Sequence, residues 1–292
     1  MKKDTLLKTQ QQHLYTKIIF GIGISILMLT IWGCSSEEVT KQMTAEQHYE
    51  IGMKKFKSED YLEAIDEFKI VGLQYQGTRV ADAAQFYMGE CHYFREEYIL
   101  AAYEYDLLIR TMPSSPYVSR ARFQLATCYY NMSPKSSLDQ EYSKKAIDEY
   151  QAYLDYFPKD TLVHAAEDRI NELNTKAAKK EYENGITYMH LEYYRAATYY
   201  FDMVLEKYHD TPFAEPAQLK KAEAMMNRKK FPEAQKELDK FFVKYSHSEL
   251  FPDAEKLKTE LKLRIAEALT LPPSKEKPAQ APVQAPLPVS GN

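Results

Sequence analysis

Only one tryptophan, nine glycines and three cysteines occur among the 292 residues. So few glycines, with few strand-and-hairpin signals, leave little room for a turn-rich β fold. Seven histidines are scattered through the chain. No HExxH, GxSxG, CxxC or phosphate loop is present, and the nearest approach to a Gly-rich turn, Gly21 and Gly23, lies inside an apolar run. The chain therefore spells out no nucleophilic, zinc or phosphate chemistry. Acidic pairs such as Glu37-Glu38 and Glu96-Glu97 read as solvated charge. The expectation is a protein that is not an enzyme and holds no cofactor and no metal. Long hydrophobic runs are equally scarce: the one candidate, Ile18 to Ile31, is shorter than the ~20 residues of a comfortable membrane span. Excess positive charge is confined to residues 1–33, where Lys2, Lys3, Lys8 and Lys17 face Asp4 for a net of +3, leaving −7 for the rest of a chain whose formal charge is −4. An acidic main body argues against nucleic acid as a partner.

What the chain does have is 24 Tyr and 13 Phe within 45% hydrophobic content, and a repeat. Aligned on Ala64, Ala101, Ala146, Ala197 and Ala234, a large apolar residue stands four places on: Phe68, Tyr105, Tyr150, Phe201 and Leu238. Twenty places on stands a second alanine: Ala84, Ala121, Ala166, Ala217 and Ala254. Twelve places before the anchor lies Gly52, Gly89, Gly185 or Ala222, while the third unit has Ala126 twenty places back, implying an insertion of eight residues. Small residues at fixed spacing let two helix axes approach, and stripes such as Tyr49, Gly52, Phe56 mark the buried face of the first helix of each unit. Pro, Ser, Asp and Thr between units, as in Met112-Pro113-Ser114-Ser115-Pro116-Tyr117, are read as stopping one helix and capping the next. The pattern predicts an all-α, tetratricopeptide-type helical-repeat solenoid with five helix pairs. Cys91 and Cys128 fall at equivalent points of neighbouring units and read as small packing residues.

The short apolar run reads as a signal-peptide core. It ends in Ile31-Trp32-Gly33-Cys34, which resembles the lipobox of bacterial lipoproteins and makes Cys34 the predicted lipidation site. Ser35 follows, which in that pattern permits export to the outer membrane; an acylated Cys34 would anchor the chain there effectively permanently. The expected organisation is a signal peptide over 1–33, a lipidated linker over 34–42, repeats one to three over 43–165, a long connecting helix with repeats four and five over 166–268, and a Pro-rich disordered tail over 269–292.

The repeat ends of the form Met112 to Ala121, the insertion of repeat three followed by Asp139 to Tyr150, and Glu192 to Thr211 of repeat four together resemble the BamD family, the tetratricopeptide-repeat lipoproteins of the β-barrel assembly machine. The resemblance covers roughly Ala45 to Leu261. It implies a scaffold on the periplasmic face of the outer membrane. Its partners would be a barrel insertase of the BamA kind, docked through that protein's periplasmic domains, and unfolded outer-membrane proteins. Family members often carry an arginine on the second helix of repeat four that pairs with the insertase. Tyr200 stands there in this sequence, so that ion pair does not carry over, and Arg195 and Tyr200 become the partner-docking candidates. For substrate peptides the candidates are Tyr87, Phe94 and Arg95 in repeat two, the aromatics as anchors and the guanidinium as a carboxylate partner. Two alternatives have weaker sequence support. A periplasmic repeat adaptor coordinating cell-envelope or peptidoglycan synthesis would lack the repeat-three insertion, and a glycan-binding lipoprotein would be a longer chain.

Overall fold

The computed structural model describes residues 42–270. The expected signal peptide, the expected lipidation site Cys34, and all but the first two residues of the expected tail lie outside them. The chain divides into two compact units, Met1–Gln47 and His48–Asn292. In the first, a reciprocal capping box opens the helical region: Gln47 N–H donates to Thr44 Oγ1 at 3.3 Å and Gln47 Oε1 accepts from Thr44 N–H at 2.9 Å.

The described residues form eleven α-helices: α1 (Ala45–Lys57), α2 (Tyr61–Gln74), α3 (Ala81–Phe94), α4 (Tyr98–Thr111), α5 (Val118–Met132), α6 (Glu141–Tyr156), α7 (Val163–His190), α8 (Tyr194–Lys207), α9 (Ala214–Asn227), α10 (Phe231–Lys244) and α11 (Phe251–Thr270). No strand occurs among the described residues, and none of their helices is long and apolar enough to cross a membrane. The protein is an all-helical solenoid of helix pairs, each helix packing chiefly on its neighbours in sequence.

Both sets of alanines are fully buried, and so are Phe68, Tyr105, Tyr150 and Phe201. The close approach behind the spacing is measurable. A Cβ added to Gly52 would lie 2.6 Å from Cε1 of Phe68, one on Gly89 2.6 Å from Cε1 of Tyr105, and one on Gly185 2.5 Å from Cε1 of Phe201. Repeat five uses Ala222 opposite the smaller Leu238, keeping the sum of volumes similar. Cys91 and Cys128 are buried and free, and burial pushes the Cys91 thiol up to about 12.

The long α7 serves two cores. Its first half lends Ala166 and Leu173 to the cluster of Ala126, Tyr150 and Tyr153, and its second half lends Ala178, with Tyr182 and Ile186, to that of Phe201 and Ala217. The repeat-three insertion is an ordered loop pinned to this helix, with Lys176 Nζ donating to Ser133 Oγ at 2.7 Å and Lys180 Nζ to the Leu138 carbonyl at 2.9 Å.

Within four repeats the turn between paired helices holds a non-glycine residue in the left-handed region: Glu59, Glu96, Glu192 and Lys229, at φ +59° to +63°. The N–H of the next residue reaches back five places, as from Asp60 to Lys55 at 2.9 Å and from Tyr193 to Tyr188 at 2.9 Å, a Schellman closure without its usual glycine. Between repeats the expected hydroxyl and carboxylate N-caps are not formed. The cap positions of α3, α5, α7 and α9 are held by Val80, Tyr117, Leu162 and Phe213, with no side-chain cap bond. Three of them are already in helical conformation, so no extended residue aims an oxygen back at the first turn. The polar residues act earlier, in the turn itself: Ser115 Oγ accepts from Tyr117 N–H at 3.1 Å, Asp160 Oδ1 from Leu162 N–H at 3.2 Å and Ser248 Oγ from Leu250 N–H at 2.8 Å. α11 runs to Thr270, two residues beyond the expected boundary at 268.

Candidate functional site

Repeats one and two meet in a patch of stacked rings. Tyr87 projects from α3 but is not free: it is half-buried, 5.2 Å from Phe56, 6.1 Å from Phe68 and 6.3 Å from Tyr117 between ring centroids. It packs against the cores of both repeats. Sequence spacing placed it off the core stripe, yet its neighbours come from the preceding and following units, which spacing within one helix does not report. Burial raises its phenol.

Phe94, at the end of α3, is different in kind. It stacks on Tyr61 at 5.5 Å and 12° and touches Phe56 at 5.8 Å, yet it remains 51% exposed. A large ring held rigidly on one side and wet on the other can gain contact area with little loss of side-chain freedom. On α1, Tyr49, Glu50, Met53, Lys54 and Lys57 line an open groove of about 480 Å³. These groove residues were not among the sequence candidates, although Tyr49, Met53 and Lys57 at four-residue steps mark one helix face. The Tyr49 hydroxyl is pushed up to about 12, by burial first and then by Tyr117 and Tyr87, so the groove wall is neutral and its charge comes from Glu50 and the two lysines.

Arg95 lies beside Phe94, but its guanidinium is already engaged. Nη2 donates to Glu97 Oε1 at 2.7 Å while His92 Nδ1 shares the other carboxylate oxygen at 2.8 Å. Arg95 Nε is buried and without a partner. The hydrogen bonds from Arg95 and His92 hold the Glu97 carboxyl down at about 2. A peptide carboxylate reaching Arg95 would compete with a bound glutamate.

In repeat four, Arg195 is exposed on the first turn of α8 and makes no ion pair among the described residues. Tyr200 stacks on Tyr188 of α7 at 5.2 Å and 10° and meets Tyr199 edge-on at 5.5 Å. Burial, then Tyr188, raises the Tyr200 phenol. Tyr193 and Tyr199 stand 63% and 62% exposed. The structure thus brings Tyr87, Phe94 and Arg95 to one corner of repeat two and puts Arg195 and Tyr200 on one helix of repeat four. Among the described residues no group of three metal-ligating side chains is placed to hold an ion.

A curated relative from Caulobacter vibrioides, the outer membrane protein assembly factor BamD, is 22% identical over 210 residues, covering 70% of this chain and 69% of that protein. Among solved structures, the TPR2AB domain of yeast Sti1 in complex with pHSP90 is 17% identical, covers 77% of this chain and 85% of its own, and superposes with a TM-score of 0.39. A TPR repeat protein of Bacteroides fragilis is 12% identical, covers 77% and 99%, and has a TM-score of 0.38. Residues 41–224 match the YfiO family, whose description is outer membrane lipoprotein. That match takes in the first four helix pairs, with the ring patch of repeats one and two and the tyrosines of repeat four, and the chain belongs to the YfiO family of outer membrane lipoproteins.

Proposed function

We propose that the protein is a lipid-anchored scaffold for β-barrel assembly on the periplasmic face of the outer membrane, attached through Cys34. Repeats one and two receive aromatic-bearing segments of unfolded outer-membrane proteins, with Phe94 as the anchor and the α1 lysines supplying positive charge, while Arg95 stays paired with Glu97 beside the anchor. Repeat four docks the periplasmic domains of a barrel insertase over Arg195 and Tyr200. The observation that carries the reading is the half-exposed Phe94, stacked on Tyr61 within a chain of the outer membrane lipoprotein family. The name of the Caulobacter relative, an outer membrane protein assembly factor, supports the same role. Tyr87 serves this site as the packed support beneath Phe56 and Phe68.

The test is purification of a tagged full-length copy from detergent-solubilised outer membranes, followed by mass spectrometry of what survives a moderate salt wash. A barrel protein with several periplasmic domains is expected in near-equal amount. Phe94→Ala should leave that partner bound while lowering the capture of unfolded barrel polypeptides by roughly tenfold, the scale of one aromatic anchor. Recovery of cell-wall enzymes in place of the barrel protein would overturn the reading.

A further inference from the structure

Each repeat but one carries a polar rung between its paired helices at a single register, three residues beyond the anchor alanine. In repeat one His48 Nδ1 meets Glu67 Oε2 at 2.6 Å. In repeat two Gln85 Nε2 donates to Glu104 Oε2 at 2.5 Å, and in repeat five Gln218 Nε2 donates to Glu237 Oε2 at 2.6 Å. In repeat three Arg122 Nη1 donates to Glu149 Oε2 at 3.3 Å. The pattern is a glutamate on the second helix answered by a donor on the first. In repeat four the same register holds Tyr200 on the second helix and Glu181 on the first, so the acid has changed sides and lost its donor. Among the described residues Glu181 accepts from Asn184 of its own helix, at 3.3 Å, and forms no ion pair.

We propose, resting on the docking reading above, that repeat four is a cation-accepting docking site: Glu181 and the stacked Tyr188–Tyr200 pair receive an arginine or lysine side chain of a partner protein. A carboxylate beside flat phenol faces is the chemistry that selects a guanidinium or ammonium group. Two lysines of the same helices and their neighbour are paired elsewhere, Lys221 bridging Asp202 at 2.7 Å and Glu237 at 3.2 Å and Lys179 lying 3.8 Å from Glu183. Arg195, one turn before Tyr199 on α8, carries the opposite sign. The partner surface therefore needs a base over Tyr200 and an acid over Arg195, which fixes its orientation. A rung that stabilises the other repeats has been given up here for a surface that binds.

The test places photoreactive benzoylphenylalanine at position 199 of the full chain in living cells, with position 103, its counterpart in repeat two, as the comparison. A cross-link is expected from 199 to a protein segment holding Arg or Lys within about one helical turn of the adduct. Its yield should fall about tenfold in Glu181→Gln, the loss expected for one charge-assisted contact, with the melting temperature unchanged. The pair Glu181→Gln with Tyr200→Glu rebuilds the rung of repeats two and five, so it should melt no lower than wild type and lose the cross-link. Absence of a cross-link at 199, an adduct segment without a basic residue, or an undiminished yield in both variants would overturn the proposal. If the adduct falls on a protein other than a barrel insertase but beside a basic residue, the docking reading fails and the cation-accepting site stands.

Discussion

At the scale of single residues, glycine in this protein is set by what lies across from it. Gly52 leaves no room for a methyl group because Phe68 occupies the space, whereas repeat five pairs Ala222 with Leu238. Gly52→Ala should therefore lower stability by about 1–3 kcal/mol through overpacking. Adding Phe68→Leu, which copies repeat five, should return part of the loss in urea unfolding. The same rescue should return less in repeat two, where Tyr105 also donates to the buried Glu90 at 2.5 Å and its removal leaves that carboxyl one donor fewer, with Gln124 Nε2 remaining at 2.8 Å. Glu97 sets a pH response. Its folded carboxyl is held down to about 2 from an ordinary value of 4.5, so its contribution is complete above that ordinary value and is lost as the pH falls through about 2. Glu97→Gln should flatten the dependence of melting temperature on pH across this acid window. An unchanged slope would mean that Arg95 and His92 do not hold the carboxylate in solution.

Helices and turns were legible in the sequence to different degrees. Ala64, Ala84 and their counterparts could be read because only a small residue lets two helix axes close, so the spacing itself carries the geometry. The caps were misread because Ser115, Asp160 and Ser248 make their bonds within the turn, while apolar Tyr117, Leu162 and Leu250 continue into the packing. Tyr87 and Phe94 look alike as letters seven residues apart, yet one is wedged between repeats and the other half-exposed. That difference depends on neighbours from α1, α2 and the turn before α5, which no local pattern encodes. The left-handed turn residues were likewise invisible, since none is glycine. Glu192→Gly should raise stability by about 0.5–1 kcal/mol, relief of the Cβ penalty outweighing glycine's added freedom in the unfolded chain. Thermal melts would check it. For the pinned loop of repeat three, Lys176→Met with Lys180→Met should leave the helices folded and open residues 133–140 to limited proteolysis.

Across the whole molecule, stability is distributed as in a chain of coupled units, because each core cluster draws on two or three consecutive helices. Phe68→Ala, costing about 3–5 kcal/mol locally, should speed amide exchange in α1 to α3 and leave α9 to α11 near wild-type rates. Uniform acceleration would indicate a single cooperative block. The double duty of α7 has a further consequence, for how such a chain can change its length over time. Ala166 and Gly185 belong to different cores but ride one uninterrupted cylinder. Every residue added between them turns all that follows by about 100° about the cylinder's axis. A single-residue insertion between Leu173, the last residue lent to the first core, and Ala178, the first lent to the second, would swing Arg195 and Tyr200 away from whatever they face while leaving each core's own residues in phase. Length variants that still fit the same partner should therefore differ in this helix by about seven or eleven residues, the steps that nearly restore phase.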